Sequence, residues 1–293
     1  MRRLGYLGLL MLALGWAQRA WSHDTGVPHG GAPGWTLDPG IVGPLFIVLV
    51  LFAIGWRRLR ARSARGGDLL DRRAWRFVLG WLLLAAALVS PLHQAGERSF
   101  AAHMFEHEMI MLAAAPLLVL SEPLAIMLWA FPVRGRRIIG AMTATPVIAL
   151  PWRLLRAPAA ATLLQAAALW LWHAPALFDR ALASAGWHAA QHLSFLLGAL
   201  VFWSAMLDRR TAPGVAALCL IATSIVSGAL GALMAFAASP WYAGYARLGM
   251  APFGLSPAED QQVAGLLMWV PGGFVHAGAA LLVMRRLLRP ANA

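Results

Sequence analysis

The stretch FAAHMFEHEMIMLAAAPLLVL, Phe100–Leu120, is apolar over twenty-one residues except for His103, Glu106, His107 and Glu108 near its start. At about 1.5 Å per residue a helix of this length covers roughly 30 Å, the thickness of a bilayer's hydrocarbon core. It reads as a membrane-spanning helix that carries polar groups at one end. Histidine is costly in a bilayer, so a pair there marks a functional site by default. His103 and His107 stand at i and i+4, on one helix face, a spacing that lets two imidazoles chelate one ion. The same figure returns as His188-x-x-Gln191-His192 at the start of a second apolar run.

Working outward, the composition repeats the message of that stretch. Of 293 residues 60% are hydrophobic and only 12% charged, and the mean hydropathy is +0.66. Soluble domains carry roughly 25% charged residues, so the lipid bilayer is this chain's solvent. Seven apolar stretches have spanning character: Ile41–Trp56, Trp75–Val89, Phe100–Leu120, Ala159–Trp172, Trp187–Leu207, Val215–Ala237 and Val263–Leu288. The expected fold is all-α, a polytopic bundle of seven transmembrane helices over residues 41–288. The segment Leu124–Pro151, broken by Pro132 and Pro146, reads as an interfacial excursion.

The 24 basic residues are all arginines, and the net charge is +12. They cluster between spans one and two, between three and four, after span five and at the C-terminus. Arginine-rich loops stay cytoplasmic. The charge is therefore a topology signal, with no nucleic-acid partner implied, and it leaves the C-terminal tail, residues 289–293, in the cytoplasm. By the same rule His23, His29, His93, His103, His107, His173, His188 and His192 fall on the outer side, and only His276 does not.

Residues 1–22 read as a signal peptide: Arg2-Arg3, an apolar run from Leu4 to Ala17, then Ala20-Trp21-Ser22 as a small-x-small cleavage site. An uncleaved extra N-terminal helix is the alternative. Residues 23–40 would form an outer tail containing His23 and His29.

A second regularity links the two histidine figures. Span two ends in Ser90-Pro91-Leu92-His93, with His103 twelve residues after Pro91. Span four ends in Trp172-His173-Ala174-Pro175, with His188 thirteen residues after Pro175. Spans 2–3 and 4–5 thus resemble a parallel internal repeat about an axis along the membrane normal. Such a repeat would bring the two histidine faces together.

The donors narrow the chemistry. Cys219 is the only cysteine, which excludes a disulfide framework and thiol-based metal chaperone chemistry. Imidazole with thioether suits copper, including Cu(I). The expected ligands are His103, His107, His188 and His192, with His173 and Met111 in reserve and Glu106 and Gln191 orienting the imidazoles from behind. A b-type haem held by two facing histidines is the main alternative. His-x-x-Glu-His is also a zinc-hydrolase signature, but the second copy has Gln191 in place of the glutamate, so no enzyme is expected. A copper permease would need polar or Met residues continuing to the arginine-rich side, and beyond His276 and a few methionines none stand out.

Three blocks resemble a known family. His103-Met104, His107 and Ala115-Pro116-Leu117-Leu118 form the first, and Trp170–Leu177 with His188 and Gln191-His192 the second. Ser239-Pro240-Trp241-Tyr242 with Asp260–Trp269 forms the third. Together they are similar to the CtaG-type integral-membrane cytochrome c oxidase assembly factors, over roughly Trp75–Leu288. The resemblance implies a seven-helix protein of the bacterial inner (plasma) membrane. It also implies cytochrome c oxidase subunits as partners and a role at copper insertion. A homo-oligomer is left open.

Overall fold

The computed structural model describes residues 32–63 and 66–288. The leader at 1–22, His23 and His29 of the tail, and the C-terminal residues 289–293 lie outside the described residues. Among the described residues the fold is entirely helical.

Helix α1 (Pro39–Arg60) starts where Asp38 accepts a hydrogen bond from the Gly40 N–H at 2.6 Å, and it ends in Arg57, Arg58 and Arg60. Acid at the start and base at the end both match the helix dipole. Helix α2 (Gly67–Val89) stops at the extended residue Ser90, because Pro91 disfavours a helical residue before it. A short helix α3 (Pro91–Gly96) then leads to α4 (Phe100–Glu108), a π-helical turn (Met109–Ala114) and α5 (Ala115–Ser121), one continuous span. The short α6 (Pro123–Met127) precedes α7 (Val133–Ala144) and α8 (Pro146–Leu155), which meet at 66°. Helix α9 (Pro158–Trp172) and α10 (Pro175–Ala183) meet at 72°. After them come α11 (Ala185–Met206), α12 (Pro213–Ala235), the short α13 (Ala243–Leu248) and α14 (Pro257–Met284).

By length and composition five helices can cross a membrane: α1, the α4–α5 span, α11, α12 and α14. The number rises to seven if the bent pairs α7/α8 and α9/α10 each count as one span. All seven apolar stretches of the sequence lie on helices, but the two sets of seven differ: α2, expected as a span, is not among these candidates, whereas the bent pair α7/α8, expected as an interfacial excursion, is. Helix α2 begins eight residues before Trp75, and its first turns hold Asp68, Asp71, Arg72, Arg73 and Arg76. Charged side chains can extend an apolar helix past the bilayer because their stems reach back along it. Helix α9 has only 15 residues and bends into α10. The Leu124–Pro151 excursion is itself helical, and α7 buries none of its residues.

Helices α12 and α14 touch backbone to backbone. A Cβ on Gly265 would run into the Gly231 carbonyl oxygen, and one on Gly231 would lie 2.8 Å from that of Gly265. Small residues permit such an approach where no hydrophobic force drives helices together. The interior beside this pair is filled by Phe100, Met104, Phe178, Phe195, Phe202 and Tyr242. The units α2–α3–α4 and α9–α10–α11 share one order: an apolar helix, a short helix opened by proline, then a serine that precedes the histidine-bearing helix. Ser99 (φ −140°, ψ 124°) and Ser184 (φ −145°, ψ 119°) have matching backbones. The N–H of His103 bonds the Ser99 carbonyl at 3.1 Å, and that of His188 bonds the Ser184 carbonyl at 2.9 Å.

Candidate metal centre

Helix α4 is held in place from far along the chain. Asp260, in the first turn of α14, accepts from Ser99 Oγ at 2.8 Å, from the Phe100 N–H at 2.6 Å and from the Ala101 N–H at 3.3 Å. A buried carboxylate thus satisfies donors that a helix start leaves unpaired. Gly96 lets α3 lie close to this start, since a Cβ there would come within 3.2 Å of His103 Cα and 3.4 Å of Glu106 Oε2.

With α4 and α11 starting side by side, their histidines converge. His192 Nε2 stands 3.3 Å from His107 Nε2 and 2.9 Å from His188 Nε2. The His103 ring lies 4.3 Å from that of His107 and 5.2 Å from that of His188, centroid to centroid. One nitrogen each of His103, His188 and His192 fall within 4.8 Å of one another, as do atoms of His93, Glu106 and His192. Two nitrogens bound tetrahedrally at about 2.0–2.1 Å from an ion would be roughly 3.3 Å apart. The His107–His192 pair already has that spacing.

The groups behind the rings set which nitrogens face inward. Tyr245 on α13 donates its hydroxyl hydrogen to the Gly96 carbonyl at 2.5 Å, so at His103 Nδ1, 3.0 Å away, the same oxygen must accept. His103 therefore carries its proton on Nδ1 and presents the lone pair of Nε2. Burial, reinforced by the charges of Asp260, Glu106 and Glu97, pushes the Tyr245 phenol well above its ordinary pKa, and it remains a donor. His192 Nε2 has two imidazole neighbours, and with its proton on Nδ1, which faces Glu106 Oε1 at 3.4 Å, it offers one lone pair toward them. Glu106 Oε1 also takes a 2.8 Å bond from His93 Nδ1. Burial opposes charging His93, but that bond and the Glu106 charge, with Glu97 and Asp38 beyond, carry its pKa upward. Glu106 Oε2 and His107 Nδ1 are buried without hydrogen-bond partners. A polar cluster left incomplete in this way is poised for a charged guest.

Of the sequence-derived residues, His103, His107, His188 and His192 come together, with Glu106 behind them and Gln191 fully buried beside them. His188 is half-exposed and the others are buried, so the site opens past His188. The two reserve donors stand apart. His173 Nε2 lies 3.3 Å from Met104 Sδ, and the Phe195 ring separates it from His107. Met111 Sδ accepts from Gln165 Nε2 at 3.4 Å, in a separate small cavity with Glu108 and His276. The π turn explains this: the extra residue per turn takes Met111 off the His107 face and frees its carbonyl for Trp203 Nε1, 2.8 Å away. His276 bonds the Gly272 carbonyl at 2.7 Å and stacks on Trp203.

A family model described as cytochrome c oxidase caa3 assembly factor matches residues 50–290. The chain belongs to this family. Comparison with curated proteins and with solved structures gave no match. The matched region of this caa3 assembly factor family member contains every residue of the cluster. It also contains three that the spacing did not single out as part of the site: His93, Tyr245 and Asp260. His93 was legible only as an outer-side histidine after Pro91. Tyr245 and Asp260 lie about 140 and 160 residues from their partners, and no local pattern links them.

Proposed function

We propose that this membrane protein holds copper at the His103, His107, His188 and His192 cluster and delivers it to an apo-cytochrome c oxidase subunit. The observation that carries the reading is the meeting of His107 and His188 Nε2 on His192 Nε2, with Tyr245 bonded behind His103 and the Glu106 carboxylate 3.4 Å behind His192. All-imidazole donors without cysteine suit copper, and the family supplies the oxidase context. An ion is favoured over haem because imidazoles 2.9 and 3.3 Å apart leave no slot for a macrocycle. Delivery needs an exit, and half-exposed His188 stands at the mouth.

In this reading the histidine end faces outward from the bacterial plasma membrane and the C-terminus is cytoplasmic, an orientation the arginine distribution supports. The matching serine turns support an internal repeat whose two halves each supply one histidine pair. The protein acts as a chaperone, without catalysis of its own. The test is elemental analysis and an absorption spectrum of detergent-purified protein, beside a His103→Ala/His188→Ala double variant. Copper near one per chain, lost in the variant and without a Soret band, is expected. A Soret band without copper would make it a haem protein, and neither signal would remove the site.

A further inference from the structure

At the end of α11 opposite the histidines, a cavity of about 500 Å³ is lined by Arg153, Arg156, Asp208, Arg210, Thr211 and Val215. Arg156 is pinned there: its Nε bonds Ser204 Oγ at 3.1 Å, and its Nη2 bonds the Ser204 carbonyl at 2.9 Å and Asp208 Oδ2 at 3.0 Å. Arg153 and Arg210 are exposed and form no ion pair among the described residues. Three guanidiniums against one carboxylate leave the cavity with an excess of two positive charges.

Two helices begin at the same cavity. Helix α9 follows Ala157 and α12 follows Ala212, and neither start has a side-chain cap. Thr211, next to the second start, spends its hydroxyl on the Ala205 carbonyl at 2.8 Å. The positive ends of two dipoles therefore add to the arginines. A topology signal needs only charge in a loop. It requires neither a cavity nor a guanidinium fixed by three hydrogen bonds. On α8, beside the cavity, Val147, Leu150 and Leu154 are exposed and apolar, a surface on which an acyl chain can lie.

We infer that this cavity binds the phosphate of an anionic phospholipid, with Arg153 and Arg210 closing on the headgroup and Arg156 fixed as its floor. The chemistry is that of a phosphate anion, and the apolar flank of α8 assigns it to a lipid. The assignment is independent of the copper reading.

The test is the thermal midpoint of the delipidated, detergent-purified full chain, titrated with dioleoylphosphatidylglycerol, dioleoylphosphatidylcholine or inorganic phosphate. Phosphatidylglycerol is expected to raise Tm by several degrees and phosphatidylcholine is not. The gain should fall by at least half in an Arg153→Gln/Arg210→Gln variant. It should persist in Arg134→Gln/Arg137→Gln, which removes the same charge from exposed positions on α7. Equal gains in the two variants, or no gain in the wild type, overturn the site. Inorganic phosphate matching phosphatidylglycerol at equal concentration overturns the lipid assignment.

Discussion

His103 shows how a single tautomer can be set from a distance. Its Nε2 is available because Tyr245 takes the Nδ1 proton while giving its own to Gly96. Tyr245→Phe should weaken metal binding by about 10–100-fold, the usual cost of losing a group that orients a ligand. The same change leaves the Gly96 carbonyl unpaired, costing about 1–3 kcal/mol. A competition titration with a copper chelator and a thermal melt separate the two effects, and unchanged affinity would remove Tyr245 from the site. The paired histidines should also part company in stability. His188 is half-exposed and His107 is packed against Phe195, so His107→Ala should lower the melting temperature much more than His188→Ala. Both should lose metal.

Among the elements, α4 and α14 carry the site's register. Asp260 holds three donors at the start of α4, so Asp260→Asn should cost about 1–3 kcal/mol and loosen the turn bearing His103. The expected readout is a lower melting temperature together with weaker copper retention. A fall in stability alone would mean that α4 keeps its place without the carboxylate. Between α12 and α14 the constraint is steric. Gly265→Val drives methyl groups into the Gly231 backbone and should abolish monodisperse protein in size-exclusion chromatography. Gly278→Ala, on the same helix with open space around its Cα, should leave the elution profile unchanged.

Across the whole molecule, charge and chemistry are segregated between the two ends of the bundle. The described histidines other than His276 gather with Glu106 at one end, while Arg156, Asp208 and Arg286 tie the C-terminal end of α11 at the other. The proposed orientation, histidine end outward, can be read with thiols. In a Cys219→Ser background, Arg247→Cys should react with a membrane-impermeant maleimide in right-side-out vesicles. Arg209→Cys should react only after permeabilisation. The reverse pattern would turn the copper mouth toward the cytoplasm and end the delivery reading.

Hydropathy and i,i+4 spacing were enough to establish a helical membrane protein with two histidine pairs at one end, because both are local properties of the chain. The three sequence blocks around His103, His173 and Asp260 were enough to suggest the family for the same reason. Tertiary structure decided what surrounds those pairs. The π turn moved Met111 off the His107 face, and Phe195 came between His173 and the cluster. A carboxylate 160 residues away set the start of α4, and Tyr245 set the proton on His103. Periodicity records which residues share a face of one helix. It carries no information on which face of another helix, or which loop, will be packed against it.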